Sequence, residues 1–506
     1  MVARRPEALA STTTMDYLIL FVYIASLTIL FIFGSHGFLM IHHYLKSRTR
    51  TEEPPLAITA YPVVTVQLPV YNELYVVERL IDAACALVYP REKLEIQVLD
   101  DSTDQTVELV AARVELYRRK GFDITQVRRG DRKGFKAGAL REGLVQARGE
   151  FVAIFDADFV PRPDFLLKTI PHFVSNARLG MVQTRWEHLN ADYSLLTRAQ
   201  AMALDGHFVI EQAVRNRAGF FINFNGTAGV WRRACIEDAG NWQDDTLTED
   251  LDLSYRAQLR GWKFLYLDSV TSPAELPSEI NALKSQQFRW TKGAIETARK
   301  ILPQVWKANL PLRVKVHATF HLTNNLVFPF ILLAGILNVP LVFMKHSGLY
   351  EAYFMFMSVF VLAFVASFLF YLYSQKGAYD DWQRRLMLFP LFMAGSMGLA
   401  VNNTRAVVEG LFRRRTEFVR TPKYSIQQRK DSWVEKHYAP VRFSPTVLLE
   451  IGLAAYCLFG VLSSIYFLEL AAVPFQLLFS FGFGLVAVLS VRHAYLARQL
   501  QRQQSQ

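Results

Sequence analysis

Hydrophobic positions divide this chain into apolar runs near both ends and an alternating middle. From Tyr17 to Ile41 nearly every residue is apolar, and about 20 such residues in a helix cross a bilayer. Runs of similar length recur at 318–344, 353–373, 446–469 and 472–492. This predicts five membrane spans. The first run is too long for the apolar region of a signal peptide and has no small-residue cleavage site. A basic stretch, 42–50, follows it. By the excess of Lys and Arg in cytoplasmic loops, the N-terminus is expected outside and the chain from residue 46 onward in the cytoplasm. A sixth stretch, 384–415, is apolar in its middle but carries Asn402, Asn403, Arg405 and Glu409 toward its end. Counting it as a span would separate the basic loop after it from the basic C-terminal tail. It is therefore read as an amphipathic helix lying in the cytoplasmic interface over 384–412.

Residues 60–300 follow other periods. Short apolar segments at 63–69, 94–100 and 150–158 each end in polar residues, and helical patterns such as 79–88 and 105–121 lie between them. Strands alternating with helices predict an α/β domain with a parallel-rich sheet. The expected division is therefore 1–45, 46–300 and 301–506: a membrane helix, a soluble domain, then interfacial helices with four spans. Ligands of such sheets bind outside the carboxyl ends of the strands. The strand ends here are Tyr71-Asn72-Glu73, the Asp100–Asp104 cluster and Asp156-Ala157-Asp158. No Gly-rich nucleotide fingerprint follows a strand, which argues against a P-loop or dinucleotide enzyme.

Composition agrees with the spans: 51% of the 506 residues are hydrophobic and 13% aromatic. The net charge of +11 sits beside the apolar runs. It is read as juxtamembrane Lys and Arg rather than as a nucleic-acid footprint. Three cysteines, Cys85, Cys235 and Cys457, are too dispersed for a disulfide framework or a metal cluster.

The candidate chemistry is acidic. Asp156 and Asp158 stand two apart on an extended segment, so both face one way and can reach one hard cation. The plain alternative is a solvated pair at a strand end. Thr248, Glu249 and Asp250 open a helical pattern, where they can cap a helix and complement its dipole. Capping and service as a general base are compatible. Gln286, Arg289 and Trp290 lie shortly before the apolar segments resume, where Trp and cations are also common simply as interfacial anchors.

Taken in order, Tyr71-Asn72-Glu73, Asp100–Asp104, Asp156–Asp158, Thr248–Asp250 and the Gln286–Trp290 segment "QQFRW" resemble the motifs of the family 2 inverting glycosyltransferases of the cellulose synthase type. The likeness spans about 220 residues and extends to the flanking membrane segments. Within the family it is nearest to the cellulose-synthase-like mannan and glucan synthases and their bacterial relatives. The resemblance implies a GT-A type domain inserted between transmembrane helices. It implies a hexosyltransferase that moves a sugar from a nucleotide-sugar, UDP-glucose or GDP-mannose, to a growing β-linked polysaccharide. Glycosylation of a lipid headgroup is the alternative, and a transporter with a regulatory soluble domain is a third reading.

By the same resemblance Asp250 is the general base, and Asp156 and Asp158 hold Mg²⁺ or Mn²⁺. Tyr71, Asn72, Glu73, Asp100, Asp101 and Lys136 bind the donor, and Gln286 and Arg289 hydrogen-bond its diphosphate. Trp290, Asn225, Gly226 and Glu249 meet the acceptor, with the flat face of Trp290 packing on a sugar ring. The stretch 416–424 stands where the family has a loop closing over the donor. The expected location is a multi-pass integral membrane protein, in a bacterial inner or plasma membrane or a Golgi-type membrane. Its catalytic domain faces the cytoplasm, and its partners are the donor, a glycan or lipid acceptor and the bilayer.

Overall fold

The computed structural model describes residues 13–47, 58, 60–414, 419–434, 436, 438 and 445–504. Its soluble part is built on one seven-stranded sheet: β1 (Val64–Val70), β2 (Leu94–Asp100), β3 (Asp123–Val127), β4 (Phe151–Ile154), β5 (Leu179–His188), β6 (Gly229–Arg232) and β7 (Lys263–Ala274). Spatial order is β3-β2-β1-β4-β6-β5-β7. The first four strands are mutually parallel, and β5 is parallel to β7. Only β6 runs against both of its neighbours. The sequence expectation of a parallel-rich sheet therefore holds, with one reversed strand near its centre.

The strands are apolar on both faces because both are covered. Phe151 and Ala153 join a core with Val66, Ile96 and Phe165. Val152 and Ile154 point the other way, into a core with Trp231, Trp242 and Leu140. Within this second layer lies a buried polar row, Gln67 Nε2 donating to Gln97 Oε1 at 3.0 Å. The helix Phe135–Gln146 closes over that row at Gly143, where a Cβ would stand 2.7 Å from Gln67 Nε2 and from Leu99 Cδ2. Only glycine lets the helix sit that near. In-register pairing of Val64 with Leu94 and with Phe151 brings the ends of β1, β2 and β4 to one edge.

Five helices are long and apolar enough to cross a membrane: Thr14–Ser47, Leu312–His346, Glu351–Ala378, Thr446–Tyr466 and Leu470–Leu496. They coincide with the five expected spans. The 384–412 segment is not one helix. It forms Trp382–Gly398 and Ala400–Leu411, bent by 44° at the break, and taken together as a span the pair would make a sixth. The first half packs on the last span through glycine: a Cβ on Gly398 would lie 2.2 Å from the Gly482 carbonyl. The second half turns its polar residues inward. Asn402, Asn403 and Glu409 are buried, and Asn402 Nδ2 donates to the Lys284 carbonyl at 3.0 Å.

The helix Ile280–Lys307 joins the two parts and runs through the expected boundary at residue 300. Glu279 caps it, accepting the Asn281 N–H at 2.7 Å and also the Ala282 N–H. Lys284 on this helix pairs with Glu450 of the fourth span at 2.6 Å, and both are buried. Removing one partner of a buried pair leaves a stranded charge, which costs about 3–5 kcal/mol, whereas replacing both with apolar groups is often neutral. Lys284→Met alone is therefore expected to lower the melting temperature in detergent strongly. Lys284→Met with Glu450→Leu is expected to restore most of the loss, and thermal unfolding of the two variants checks this.

Candidate active site

Asp156 and Asp158 follow β4 and project from the sheet edge, Asp156 half-buried and Asp158 buried. Each is met by an ammonium group. Lys136 Nζ contacts Asp156 Oδ1 and donates to the Gly226 carbonyl at 2.8 Å. Lys423 Nζ donates to Asp158 Oδ2 at 2.6 Å and to the Glu275 carbonyl at 3.1 Å. Lys136 reaches inward because Gly134 and Phe135, with φ of 75° and 48°, turn the chain sharply into its helix. Burial disfavours the charge on Lys136, but Asp156, Glu249 and Asp250 outweigh it and raise its pKa.

Glu249 and Asp250 open the helix Glu249–Leu259 and line the same cavity as Asp156 and Asp158. Thr248 does not cap this helix with its side chain. Its Oγ1 instead meets Thr297 Oγ1 at 3.1 Å, on the helix that carries Gln286 and Trp290. That helix approaches so closely that a Cβ on Gly293 would be 2.6 Å from Thr248 Cγ2. Asp250 faces Gly226, whose φ is 80° and whose missing Cβ would lie 3.0 Å from Asp250 Oδ2. Burial and the neighbouring Glu249 carboxylate raise the pKa of Asp250, and burial raises that of Glu249. A carboxyl held in this way is a strong enough base to take a proton near neutral pH.

Gln286, Arg289 and Trp290 lie at i, i+3 and i+4 on Ile280–Lys307, hence on one face. All three line the cavity with Asp156, Asp158 and Asp250. Burial lowers the pKa of Arg289, opposed by Glu249, Asp156, Asp250 and Asp158 around it. Its Nη1 also donates to the Val419 carbonyl at 3.1 Å.

At the other end Tyr71 and Asp101 line the cavity. The Arg132 guanidinium lies 3.3 Å from the centre of the Tyr71 ring, and Arg129 grips Asp101 with two nitrogens. Glu73, buried, pairs with Arg420 at 2.8 Å; burial nevertheless pushes its pKa up to about 7. With Arg420, Thr421 and Lys423 in its wall, the cavity has a volume of about 190 Å³, below the roughly 300–1,000 Å³ of ordinary ligand sites.

Two expected donor residues are placed elsewhere. Asn72 Oδ1 accepts from the Thr103 N–H at 2.8 Å, and Asp100 accepts from Ser102 N at 2.9 Å and from Gln126 Nε2 at 2.8 Å. Neither lines the cavity. Their hydrogen bonds shape the loops that carry Tyr71 and Asp101.

Asn225 does line it, held by residues that the sequence reading did not name. Gln212 Nε2 donates to the Asn223 carbonyl and to Asn225 Oδ1, each at 2.7 Å. Asn225 Nδ2 meets His207 Nε2 at 2.9 Å, and His207 Nδ1 meets Glu211 Oε2 at 3.0 Å. The polarity is anchored at both ends. A carbonyl compels Gln212 to donate, and a carboxylate compels His207 Nδ1 to donate, leaving Nε2 to accept. The Asn225 amide is thereby fixed in one orientation. Burial works against the charge on Glu211, but Arg215 at 3.3 Å and His207 hold its carboxyl well below the usual range. His207, Glu211 and Gln212 sit on a π-helical turn, Gly206–Gln212, a distortion that recurs at functional sites.

Residues 62–293 match the family model described as "Glycosyltransferase like family 2". Glucomannan 4-beta-mannosyltransferase 7 of Arabidopsis thaliana is 37% identical over 472 residues, covering 90% of this chain and 82% of that protein. Glucomannan 4-beta-mannosyltransferase 1 of Oryza sativa subsp. japonica is 46% identical over 275 residues, covering 53% of each. Among solved structures, the mannosyltransferase PcManGT of Pyrobaculum calidifontis, in complex with GDP-Man and Mn²⁺, matches with a TM-score of 0.55 at 19% identity, over 78% of this chain and all of that one. That likeness is one of fold, and it bears out the GT-A expectation. With its motifs in order around one cavity and a relative aligned over nearly its whole length, the chain belongs to glycosyltransferase family 2, in the membrane-embedded group related to the glucomannan mannosyltransferases.

Proposed function

We propose that this protein transfers a mannosyl residue from GDP-mannose, with inversion, to the end of a growing β-linked glycan. The observation that carries the reading is a single cavity lined by two carboxylates that each hold a lysine ammonium, Asp156 and Asp158, together with Asp250, Arg289 and Trp290. A single displacement needs one base and no enzyme nucleophile. Asp250, with its raised pKa, takes the proton of the acceptor hydroxyl, while Arg289 and Gln286 hydrogen-bond the departing diphosphate. One base acting opposite the leaving group converts an α-linked donor to a β-glycoside. The glucomannan relatives favour a glycan acceptor over a lipid headgroup and mannose over glucose. Product analysis by size and linkage after incubation with GDP-mannose or UDP-glucose tests the reading; a glycolipid as sole product would overturn it.

The carboxylates fit a divalent cation. Asp156 and Asp158 offer hard oxygen ligands, and the ammonium groups of Lys136 and Lys423 that they hold mark both as seats for positive charge. Mg²⁺ and Mn²⁺ take a few carboxylates together with substrate phosphates. Bound there, such an ion neutralises the charge that develops on a leaving diphosphate. Beyond Trp290 a cavity of about 660 Å³ continues between Ile280–Lys307 and the last span, and it receives the glycan end. The catalytic domain is placed in the cytoplasm, where nucleotide-sugars are available and the basic flanks of the spans belong.

Three outcomes follow from these assignments. Asp156→Asn is expected to abolish transfer without unfolding the protein, since the change is nearly isosteric. Excess EDTA is expected to do the same to the unmodified enzyme, with Mn²⁺ or Mg²⁺ restoring activity.

Asp250→Asn is expected to keep donor binding and melting temperature while losing about 10²–10⁴-fold in kcat, the usual range for loss of a general base. Because Asp250 acts ionised and its pKa is raised, kcat/KM of the unmodified enzyme is expected to fall as pH is lowered through the neutral range, well above the ordinary carboxylate range. Any residual rate of Asp250→Asn is expected to lack that limb.

Gln212→Met keeps side-chain volume but frees the Asn225 amide to rotate. The KM for the acceptor is expected to rise about tenfold, as for one or two lost buried hydrogen bonds, with the donor KM nearly unchanged. Initial rates with each substrate varied in turn measure the split.

A further inference from the structure

A cavity of about 310 Å³ lies outside the catalytic groove, where the soluble domain meets the end of the span Glu351–Ala378. Four arginines from three separate parts of the chain line it: Arg198 on the helix Leu195–Asp205, Arg384 and Arg385 on the short helix after the span, and Arg429. Such convergence is electrostatically unfavourable unless something anionic offsets it. The protein offsets it only in part. Arg198 pairs with Asp192 at 3.2 Å, and Arg385 with Asp381 at 2.8 Å. Arg429 Nε donates only to a backbone carbonyl, that of Asp192, at 3.1 Å. The Arg384 side chain makes no hydrogen bond or close ion pair with a described residue, though its charge acts on Asp381. The third carboxylate of the wall, Asp205, is buried and already taken, by Gln375 at 3.0 Å, His188 at 3.1 Å and Tyr379 at 3.2 Å. The cavity therefore holds more guanidinium donors than its own acceptors use, in the forked form that suits phosphate oxygens.

The surroundings indicate where the phosphate comes from. Tyr379 and Trp382 flank the cavity just beyond the span, the depth at which such rings gather in membranes. Arg385 stacks on Tyr379 at 3.7 Å and Lys376 lies 5.8 Å from the Trp382 ring centre. Met387, one turn on, is 73% exposed. A cationic cavity beside interfacial aromatics and an uncovered apolar side chain matches a lipid headgroup lying over its own acyl region.

We propose that this cavity binds the phosphate of an anionic phospholipid. Its lining is separate from that of the donor cavity, although Arg429 also lines the larger cavity beyond Trp290. Arg429 lies six positions after Lys423, which pairs with Asp158. A lipid held by Arg429 fixes the far end of the segment that walls the donor cavity.

The test uses the full chain in nanodiscs of phosphatidylcholine, with and without phosphatidic acid, and native mass spectrometry of the detergent-solubilised protein. The unmodified protein is expected to melt higher with phosphatidic acid present and to retain phosphatidic acid in the mass spectrum. Arg384→Gln with Arg429→Gln is expected to lower that retention by about tenfold or more, the loss expected of two charge-assisted contacts. It is also expected to remove most of the thermal shift. An exposed control, Arg119→Gln, is expected to behave as unmodified. Melting in pure phosphatidylcholine verifies that the double variant is folded. Should it not be, Arg384→Gln alone is used, since that side chain is exposed. Retention and shift unchanged in the folded variant would overturn the site. An equal thermal shift from millimolar inorganic phosphate in pure phosphatidylcholine would overturn the lipid as its ligand.

Discussion

Everything at the catalytic edge depends on holding several carboxylates together in a half-buried space. Asp156, Asp158, Glu249, Asp250 and Glu73 share one cavity. Their mutual repulsion, added to the loss of hydration, opposes their charges. The fold answers with cations drawn from distant parts of the chain: Lys136 for Asp156, Lys423 for Asp158 and Arg420 for Glu73, with Arg289 close to four of the carboxylates. Neither Glu249 nor Asp250 has a cation at ion-pair distance among the described residues, and burial raises the pKa of both. The distribution of countercharge thus separates roles that carboxylates alone could not distinguish. Those that meet cations are suited to hold a metal or close a cavity; of the two left over, Asp250, whose pKa the Glu249 carboxylate also raises, is the one that the proposed reading uses as base.

The same arrangement explains why the cavity is small. Arg420 and Lys423 belong to a segment between the helix Ala400–Leu411 and the fourth span, yet it reaches back to residues at the ends of β1 and β4. A divalent ion with a diphosphate would offer the carboxylates more charge at closer range than a single ammonium. On the proposed reading, a divalent ion at Asp158 would take the position that the Lys423 ammonium holds.

How much of this was legible in the sequence follows from which interactions are local. Strand ends and helix starts are local, so Asp156, Asp158, Glu249 and Asp250 could be placed at an edge from pattern alone. The spacing of Gln286, Arg289 and Trp290 is likewise local, and the structure puts all three on one helix face. Asn72 and Asp100 belong to the same motifs but are consumed by hydrogen bonds that only the packed loops create. The reversed strand β6 is four residues long, too short to betray its direction. Arg420 pairs with a carboxylate more than three hundred positions away, and no period in the sequence announces such a contact. His207, Glu211 and Gln212 belong to no motif named from the sequence; the signal that they matter is the π-helical turn, which exists only once the chain has folded. The 384–412 segment was read as one interfacial helix from its polar end. The structure makes two helices of it, and in the second Asn402 and Glu409 find partners on Ile280–Lys307, the Lys284 carbonyl and the Lys292 ammonium, rather than in water.

That last helix shows why the enzyme is built into a membrane rather than merely tethered to one. One end of it is fixed among the spans by the buried pair Lys284–Glu450. Farther along, Gly293 and Thr297 press against Thr248, at the start of the helix that carries Asp250. Between these two fixed points lie Gln286, Arg289 and Trp290. A displacement of the spans relative to the soluble domain would therefore move Gln286, Arg289 and Trp290, the proposed diphosphate and acceptor contacts, with respect to Asp250, the proposed base. Attack at an anomeric carbon tolerates misplacement of only about an ångström before the rate falls steeply. The membrane helices are thus part of the geometry of the reaction: they hold one side of the site, the sheet holds the other, and the rigidity of a single helix keeps the two in register.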